Sequence, residues 1–362
     1  MEVAACRRRS AAGCVRGGDR RKPPQPLPGR CDKAATTDSP TPALRGYAPI
    51  CTSFEPMYLR RFEVTTLGTG AALPARGRFP TSQLLNIHEG SYMIDCGEGT
   101  QERLRENAVN FSRIDHVFIS HLHGDHFFGL VGLISSMHLM GRRNALHVHA
   151  PAGLKDVIDL QLHVSGTYLR YPLHFHPTVP VNGAVIHEDS RVVVTSLALK
   201  HRIDCIGFVF RERPALRNLR IETLKLIPHF KRQAIKEGED LVFPDGTRHT
   251  NADLTTDPAP ARAYAYCSDT AYSPELVPYI QGVDLLYHEA TFTRMLAARA
   301  KETAHSTAEQ AAMLAKSAGV RKLLIGHFSS RYKGSEELLQ EALTIFPNTI
   351  ASEDGRTYPI GG

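Results

Sequence analysis

At 362 residues, with 42% apolar and 22% charged side chains, the chain has an ordinary soluble composition and enough length for a sizeable core. Its longest apolar run, around Phe127 to Met140, is broken by Gly and His and is too short to span a bilayer. The formal charge of +6 sits mostly in residues 1–56, where ten Lys/Arg face five Asp/Glu, so the rest of the chain makes no general case for a polyanionic partner.

Seven cysteines, an odd number with no Cys-x-x-Cys pair, argue against a disulfide framework and for a reducing compartment, with the cytoplasm as the expected location. Residues 1–56 carry Arg7-Arg8-Arg9, Arg20-Arg21-Lys22 and Pro23-Pro24-Gln25-Pro26 without apolar periodicity. They read as a disordered basic, Pro-rich tail, with no apolar stretch of the signal-peptide kind. Met57 offers an alternative start, and residues 57–362 read as the folded domain.

The first strand is expected over Phe62 to Leu67, followed by the turn Gly68-Thr69-Gly70. Leu84 to Ile87 and Ser91 to Asp95 read as a hairpin, with a helix after Asp95-Cys96-Gly97-Glu98-Gly99. Val117, Phe118 and Ile119 form a buried strand that leads into Ser120-His121-Leu122-His123-Gly124-Asp125-His126, and a helix is expected from His126 to about Met140. A strand near Leu146 to His149 and a helix near Leu154 to His163 follow, then strands over Val192 to Leu199 and Ile206 to Phe210. Residues 211–238 hold eight basic and three acidic residues, a local net of +5 with weak periodicity. Beyond them, Arg262 to Cys267, Val283 to Tyr287 and Arg321 to Ile325 read as strands. Ser306-Thr307-Ala308-Glu309 reads as a capping box opening a helix that stops at Gly319.

Three histidines and an aspartate within six positions have no packing rationale on a turn. Imidazole and carboxylate are ligands that zinc and similar metals prefer. On a tight loop, His121 and His123 can face one metal while Asp125 and His126 face a second. His201, Asp269, Glu289 and His327 each follow a predicted strand, and strand ends on one rim are where an α/β protein assembles a site.

With these motifs in view, residues 61–358 resemble the metallo-β-lactamase superfamily and, within it, the ribonuclease Z family of tRNA 3′ endonucleases. The resemblance rests on FEVTTLGTGAALP (62–74), IDCGEGTQ (94–101), ISHLHGDH (119–126), LKHRIDCIGF (199–208), CSDT (267–270), HEATF (288–292), HSTA (305–308) and GHFSSRY (326–332). The His-x-His-x-Asp-His signature alone defines only the superfamily, whereas the last three motifs together are far more specific. The resemblance implies an α/β fold, a four-layer αβ/βα sandwich of two mixed sheets with helices outside and metals at one edge. It implies a zinc-dependent endoribonuclease, usually a homodimer, that removes the 3′ trailer from precursor tRNA with metal-activated hydroxide as the attacking group.

Position by position, the resemblance implies two Zn²⁺ per subunit. One would be held by His121, His123, His201 and Asp269, the other by Asp125, His126, Asp269 and His327, with Asp269 bridging. Asp125 would accept the proton of the attacking water, and His305, paired with Glu289, would protonate the departing 3′ oxygen. The family's tRNA-gripping arm would correspond to an insertion of about 211–261, with Lys225, Lys231, Arg232 and Lys236 as RNA contacts. Its middle reads Ile227-Pro228-His229-Phe230, without the Gly-Pro-rich tip usual in the family. The alternatives are another superfamily hydrolase (phosphodiesterase, arylsulfatase-like or lactonase) or a non-catalytic metal-binding or RNA-binding protein. The intact ligand set speaks against the last.

Overall fold

The computed structural model describes residues 61–361, so the basic tail assigned to 1–56 lies outside the described residues. Period-2 patterning builds an antiparallel ladder of β1 (Phe62–Gly68), β2 (Ser82–Ile87) and β3 (Gly90–Cys96). Helices then fill the crossovers, which is what parallel pairing requires. Thr100–Glu106 leads to β4 (Ile114–Phe118), Leu130–Leu139 to β5 (Leu146–Ala150) and Gly153–Val164 to β6 (Leu173–Pro177). The second half mirrors this. β7 (Val185–Glu188), β8 (Val192–Leu199) and β9 (Cys205–Glu212) form an antiparallel meander.

After β9 comes an insertion with short pairs of its own: β10 (Asn218–Leu219), β11 (Leu241–Val242), β12 (Arg248–His249) and β13 (Thr255–Thr256). Then β14 (Ala263–Cys267), β15 (Leu285–Glu289), β16 (Leu323–Gly326) and β17 (Thr349–Ala351) lie parallel, and β18 (Arg356–Pro359) crosses back to pair with β1. The two seven-stranded sheets run β18-β1-β2-β3-β4-β5-β6 and β17-β16-β15-β14-β9-β8-β7.

Alternation along the strands separates three cores. Phe62, Val64, Phe118, Phe208, Phe210, Tyr264 and Tyr266 fill the space between the sheets. Met93, Val117 and Val148 face the helices Leu130–Leu139 and Gly153–Val164, whereas Ala263, Ala265 and Cys267 belong to the outer core of the second sheet, where Ala308–Ser317 packs on β15 and β16. The helix presents the small residues Ala308, Ala311, Ala312 and Ala315 to that core. Helix and sheet therefore approach closely, and four layers result.

Several local expectations shift. The helix expected from His126 to Met140 is interrupted: Gly124–Phe127 and Leu130–Leu139 are separate, because Gly129 donates its N–H to the Cys96 carbonyl at 2.9 Å. The capping box moves by one residue, with Thr307 as N-cap and Gln310 closing it. Glu289 is the last residue of β15 instead of following it. β9 continues to Glu212 and β14 begins at Ala263, so the inserted segment is 213–262 and not 211–261. Strands β6, β7, β17 and β18 were not anticipated, because runs of three to five residues are too short for a strand pattern to stand out.

Ala312→Leu should cost about 1–3 kcal/mol through overpacking of the helix against β15 and β16. A lowered urea midpoint at unchanged denaturant slope checks this, and an unchanged midpoint contradicts the close packing.

Candidate metal centre

The parallel strands of both sheets end at one edge, and the loops leaving them converge there. Beyond β4, Ile119 still donates its N–H to the His149 carbonyl at 2.8 Å, which holds the start of the histidine loop in the sheet. The Ser120 N–H and Oγ–H then bond to Asp95 at 2.7 and 2.9 Å. The loop is crowded against the turn after β3. A Cβ on Gly97 would collide with the Asp125 carbonyl, and one on Gly129 with the Gly97 carbonyl. These close approaches require glycine.

Two sets of ligand atoms result. In the first, His121 Nε2 lies 3.0 Å from His123 Nδ1, which lies 3.2 Å from His201 Nε2. Asp269 Oδ2 lies 3.6 Å from His121 Nε2 and 3.8 Å from His201 Nε2. In the second, Asp269 Oδ1 is 3.2 Å from His327 Nε2 and 3.6 Å from His126 Nε2, while Asp125 Oδ2 is 3.5 and 3.6 Å from the same two nitrogens. One oxygen of Asp269 faces each set. A tetrahedral ion with bonds of about 2.0–2.1 Å separates its ligand atoms by about 3.3 Å, close to the spacing found here.

The donors fit a divalent cation on a second ground. His126 Nε2, His327 Nε2 and Asp269 Oδ1 are buried with no hydrogen-bond partner among the described residues, although all three point at one another. Unpaired buried polar atoms are costly, and a shared cation removes the cost. The electrostatics agree. Burial opposes charge on His126, yet the carboxylates of Asp269, Asp95 and Asp125 raise its pKa well above the usual imidazole value. Burial likewise opposes ionisation of Asp125, but the neighbouring His126 and His327 hold its pKa below the usual carboxylate range. The field demands positive charge at this point.

The opposite nitrogens are held by partners that set the tautomers. His126 donates Nδ1–H to Asp95 at 2.8 Å, and Asp95 also accepts from the Tyr266 hydroxyl at 2.6 Å. His201 donates Nδ1–H to the Ala304 carbonyl at 2.9 Å. His327 donates Nδ1–H to Thr291 Oγ1 at 2.9 Å, and that hydroxyl donates to Glu289 Oε2 at 2.7 Å. Glu289 Oε1 accepts from His305 Nδ1–H at 2.9 Å. His305 is therefore beside the ligand sets but tied to Glu289.

A cavity of about 590 Å³ opens over these atoms, lined by His123, Asp125, Asp269, His305 and His327. Arg202, Arg299 and Arg331 stand at its rim, a cationic mouth suited to phosphate. All the predicted ligands, together with His305 and Glu289, are brought together. Asp95, Thr291 and the rim arginines were not assigned roles from sequence. A carboxylate ending a buried strand just before a glycine turn was the available signal for Asp95.

Lys225, Lys231, Arg232 and Lys236 lie instead in the 213–262 insertion. Ile227, Ile235, Leu241 and Leu254 give that segment a small core of its own. Lys225 and Lys231 are exposed beside Phe230, which is 81% exposed. Arg232 is half-buried and donates to the Leu224 carbonyl at 3.3 Å, so it helps to hold the segment together.

Known proteins decide the family. "Ribonuclease Z" of Bacteroides fragilis is 46% identical over 298 residues, 82% of this chain and 98% of that protein. The chain belongs to the ribonuclease Z family. It is an endoribonuclease, and the readings as another class of hydrolase or a non-catalytic protein fall away. The ribonuclease Z of Bacteroides thetaiotaomicron is equally similar, 46% identical over 304 residues, 83% of this chain and 96% of that one. Among solved structures, human tRNase Z, short form, superposes with a TM-score of 0.62 at 28% identity, covering 83% of this chain and 99% of the other. The metallo-β-lactamase fold protein YhfI from Bacillus subtilis, at 18% identity and TM-score 0.59 over 83% of this chain and 100% of the other, shares the fold. A family model described as Anti-Pycsar protein Apyc1 matches residues 62–166 only.

Asp95→Ala should lower divalent-metal affinity about 10–100-fold by releasing the His126 ring. Metal content after dialysis at limiting zinc checks this, and a wild-type content would show that Asp95 does not orient the ligand.

Proposed function

We propose that residues 57–362 form a two-zinc nuclease domain that removes the 3′ trailer from precursor tRNA, leaving a tRNA 3′-hydroxyl and a 5′-phosphorylated trailer. The observation that carries this reading is the pairing of a split Asp269 carboxylate with an off-ligand His305–Glu289 couple in one cavity. His121, His123, His201 and Asp269 would hold one ion, and Asp125, His126, His327 and Asp269 the other. Bound there, such ions supply Lewis acidity toward the phosphodiester and acidify water toward neutral pH.

The remaining work falls to side chains. Asp125 lines the cavity and takes the proton of the attacking water, its Oδ2 steadied by the Ala72 N–H at 2.7 Å. His305 lines the cavity with Nδ1 occupied by Glu289, so Nε2 is the nitrogen left to protonate the departing 3′ oxygen. Burial lowers the pKa of His305, but the charge and hydrogen bond of Glu289 outweigh it and raise the value to about 9. Glu289 thus favours the imidazolium that an acid needs. Arg202, Arg299 and Arg331 receive phosphates at the rim, and the 213–262 arm holds the body of the tRNA through Lys225, Lys231 and Lys236. Arg232 contributes to the arm's structure as much as to its charge.

We further propose a cytoplasmic homodimer, with one subunit's arm gripping the tRNA cut by the other. Cys96, Cys205 and Cys267 are free and buried, as suits a reducing compartment, and no helix of the described residues is long and apolar enough to cross a membrane. The exposed Leu139, Leu160, Val164 and Tyr168 suit a subunit contact.

The direct test is incubation with a precursor tRNA and mapping of both product ends, with Asp125→Ala as the inactive control. Absence of a cut beside the mature 3′ end would overturn the assignment. His305→Ala should slow cleavage about 10²–10⁴-fold at unchanged metal content; loss of metal would make His305 a ligand instead of an acid. An acid acts while protonated, so activity falls as pH rises through its pKa. Glu289→Gln, which removes the charge that raises this pKa, should move the alkaline limb to lower pH. Bound cations act on both forms, so the shift between variants is the quantity read, and superimposable alkaline limbs would dismiss the pair. Replacing Lys225, Lys231 and Lys236 by Gln should raise KM for precursor tRNA several-fold and spare a small phosphodiester; equal effects on both substrates would exclude an arm role.

A further inference from the structure

Away from the nuclease centre, the far edge of the sandwich carries a second concentration of imidazoles. Alternation along β5 sends Leu146, Val148 and Ala150 toward the outer helices, so His147 and His149 face the other way, between the sheets. In β6, Leu173 and Phe175 pack outward and leave His174 and His176 on the same inner face. His116 of β4 and His187 of β7 join them from either sheet. Elsewhere this inter-sheet layer is apolar and aromatic. Here imidazoles replace it, with ring centroids 4.1 Å apart for His116 and His187, 4.9 Å for His116 and His147, and 4.6 Å for His149 and His176. Exposure grades from His149, at 2%, to His174 and His176 at the surface.

Three observations single out the inner members. One ring nitrogen from each of His116, His149 and His187 lies within 4.8 Å of one from each of the others. His149 Nδ1 and His187 Nε2 are buried without a hydrogen-bond partner among the described residues. Asp189 Oδ2 lies 3.8 Å from His187 Nε2, held by the Tyr92 hydroxyl at 2.9 Å and ion-paired with Arg191 at 2.7 Å, so a fixed carboxylate oxygen stands beside the cluster. Burial, with the neighbouring imidazoles, lowers the pKa of His116 to about 3 and of His149 to about 2. Both are therefore neutral at physiological pH, the form in which imidazole binds metal.

We propose that His116, His149 and His187 form a further cation site, separate from the nuclease centre, for a divalent transition metal of the zinc type. His147, His174 and His176 line the way to it from solvent. Neutral nitrogen donors select zinc and its neighbours over magnesium or calcium, which require oxygen. Without a cation, the same rings would form only a hydrogen-bonded stack, through His116 Nδ1 to His149 Nε2 at 3.2 Å and His147 Nδ1 to His176 Nε2 at 2.9 Å.

The full-length protein, stripped by chelator and dialysed against micromolar zinc, distinguishes these states by metal counting. Wild type is compared with His187→Gln, with His116→Gln and with a nuclease-centre variant, His121→Ala/His123→Ala. The half-buried His187 and His116 are chosen over the buried His149, and retained precursor-tRNA cleavage shows that the fold is intact. Each cluster variant should hold about one equivalent of zinc less than wild type. The nuclease-centre variant should keep an equivalent that disappears when His187→Gln is added, and magnesium should not compete for it. Equal zinc in wild type and both cluster variants would overturn the site and leave the imidazole stack as structure alone. Because the readout is a difference within the cluster, it does not depend on how many ions the nuclease centre takes.

Discussion

A carboxylate that is 3% exposed, with one oxygen lacking any hydrogen-bond donor among the described residues, is tolerable only beside positive charge, and Asp269 imposes that condition on everything around it. Its two oxygens face different imidazole sets, and the unpaired Oδ1 is the one that faces His126 and His327. The architecture serves this residue. β14 carries Ala263, Ala265 and Cys267 on its outer side, in the same core as the helix Ala308–Ser317, and Tyr264 and Tyr266 on the other, which fill the space between the sheets. Tyr266 then reaches Asp95 in the opposite sheet, and Asp95 holds His126. The packing between the sheets and the aim of a ligand are therefore one set of contacts.

Glu289 does the corresponding work at the other side of the centre. Through Thr291 it fixes His327, and directly it fixes His305. A metal ligand and the proposed acid thus share one buried anion, and displacement of either ring is felt by the other. The turn at Ala304 adds a third tie, since its carbonyl receives His201 and its chain continues into His305. Asp95, Ala304 and His327 all adopt positive φ, between +54° and +58°, in residues that are not glycine. Such conformations cost on the order of 1–3 kcal/mol each and persist where surrounding contacts over-determine them. Here the contacts that do so are those that aim the ligands.

The ligands were legible because their chemistry is local: packing alone seldom puts clustered histidines and carboxylates at the ends of apolar runs. The strands that deliver them were legible as runs of β-branched and aromatic residues, whereas β6, β7, β17 and β18, which deliver none, were missed. In β6 histidine occupies the inward positions that apolar residues usually mark, which makes that edge chemically unusual. The break at Phe128-Gly129 was not legible, because it depends on a hydrogen bond to Cys96, a residue of another strand. Asp95 escaped assignment for a similar reason. Its partners Ser120 and Tyr266 come from distant parts of the chain, and nothing in the run Ile94 to Gln101 announces them. The rim arginines are scattered as Arg202, Arg299 and Arg331, and only the folded cavity assembles them.

On the proposed reading, chemistry and substrate choice rest on different parts of the molecule. Three arginines around a cavity of about 590 Å³ are suited to a phosphodiester but carry no information about what lies on either side of it. A tRNA is much larger than that mouth, so discrimination has to come from contacts made at a distance. The 213–262 segment has the properties such a contact needs: a core of its own to hold its shape, and surface lysines without an ion pair among the described residues. Not all of its charge is available, however. Arg213 pairs with Glu188, Arg217 with Asp257 and Arg248 with Asp240. Of the basic residues counted in the local net of +5 over 211–238, Arg213 and Arg217 are thus already paired, whereas Lys225, Lys231 and Lys236 have no ion pair among the described residues. A lysine grip of this kind supplies affinity through phosphate charge, and so acts on KM more than on the chemical step.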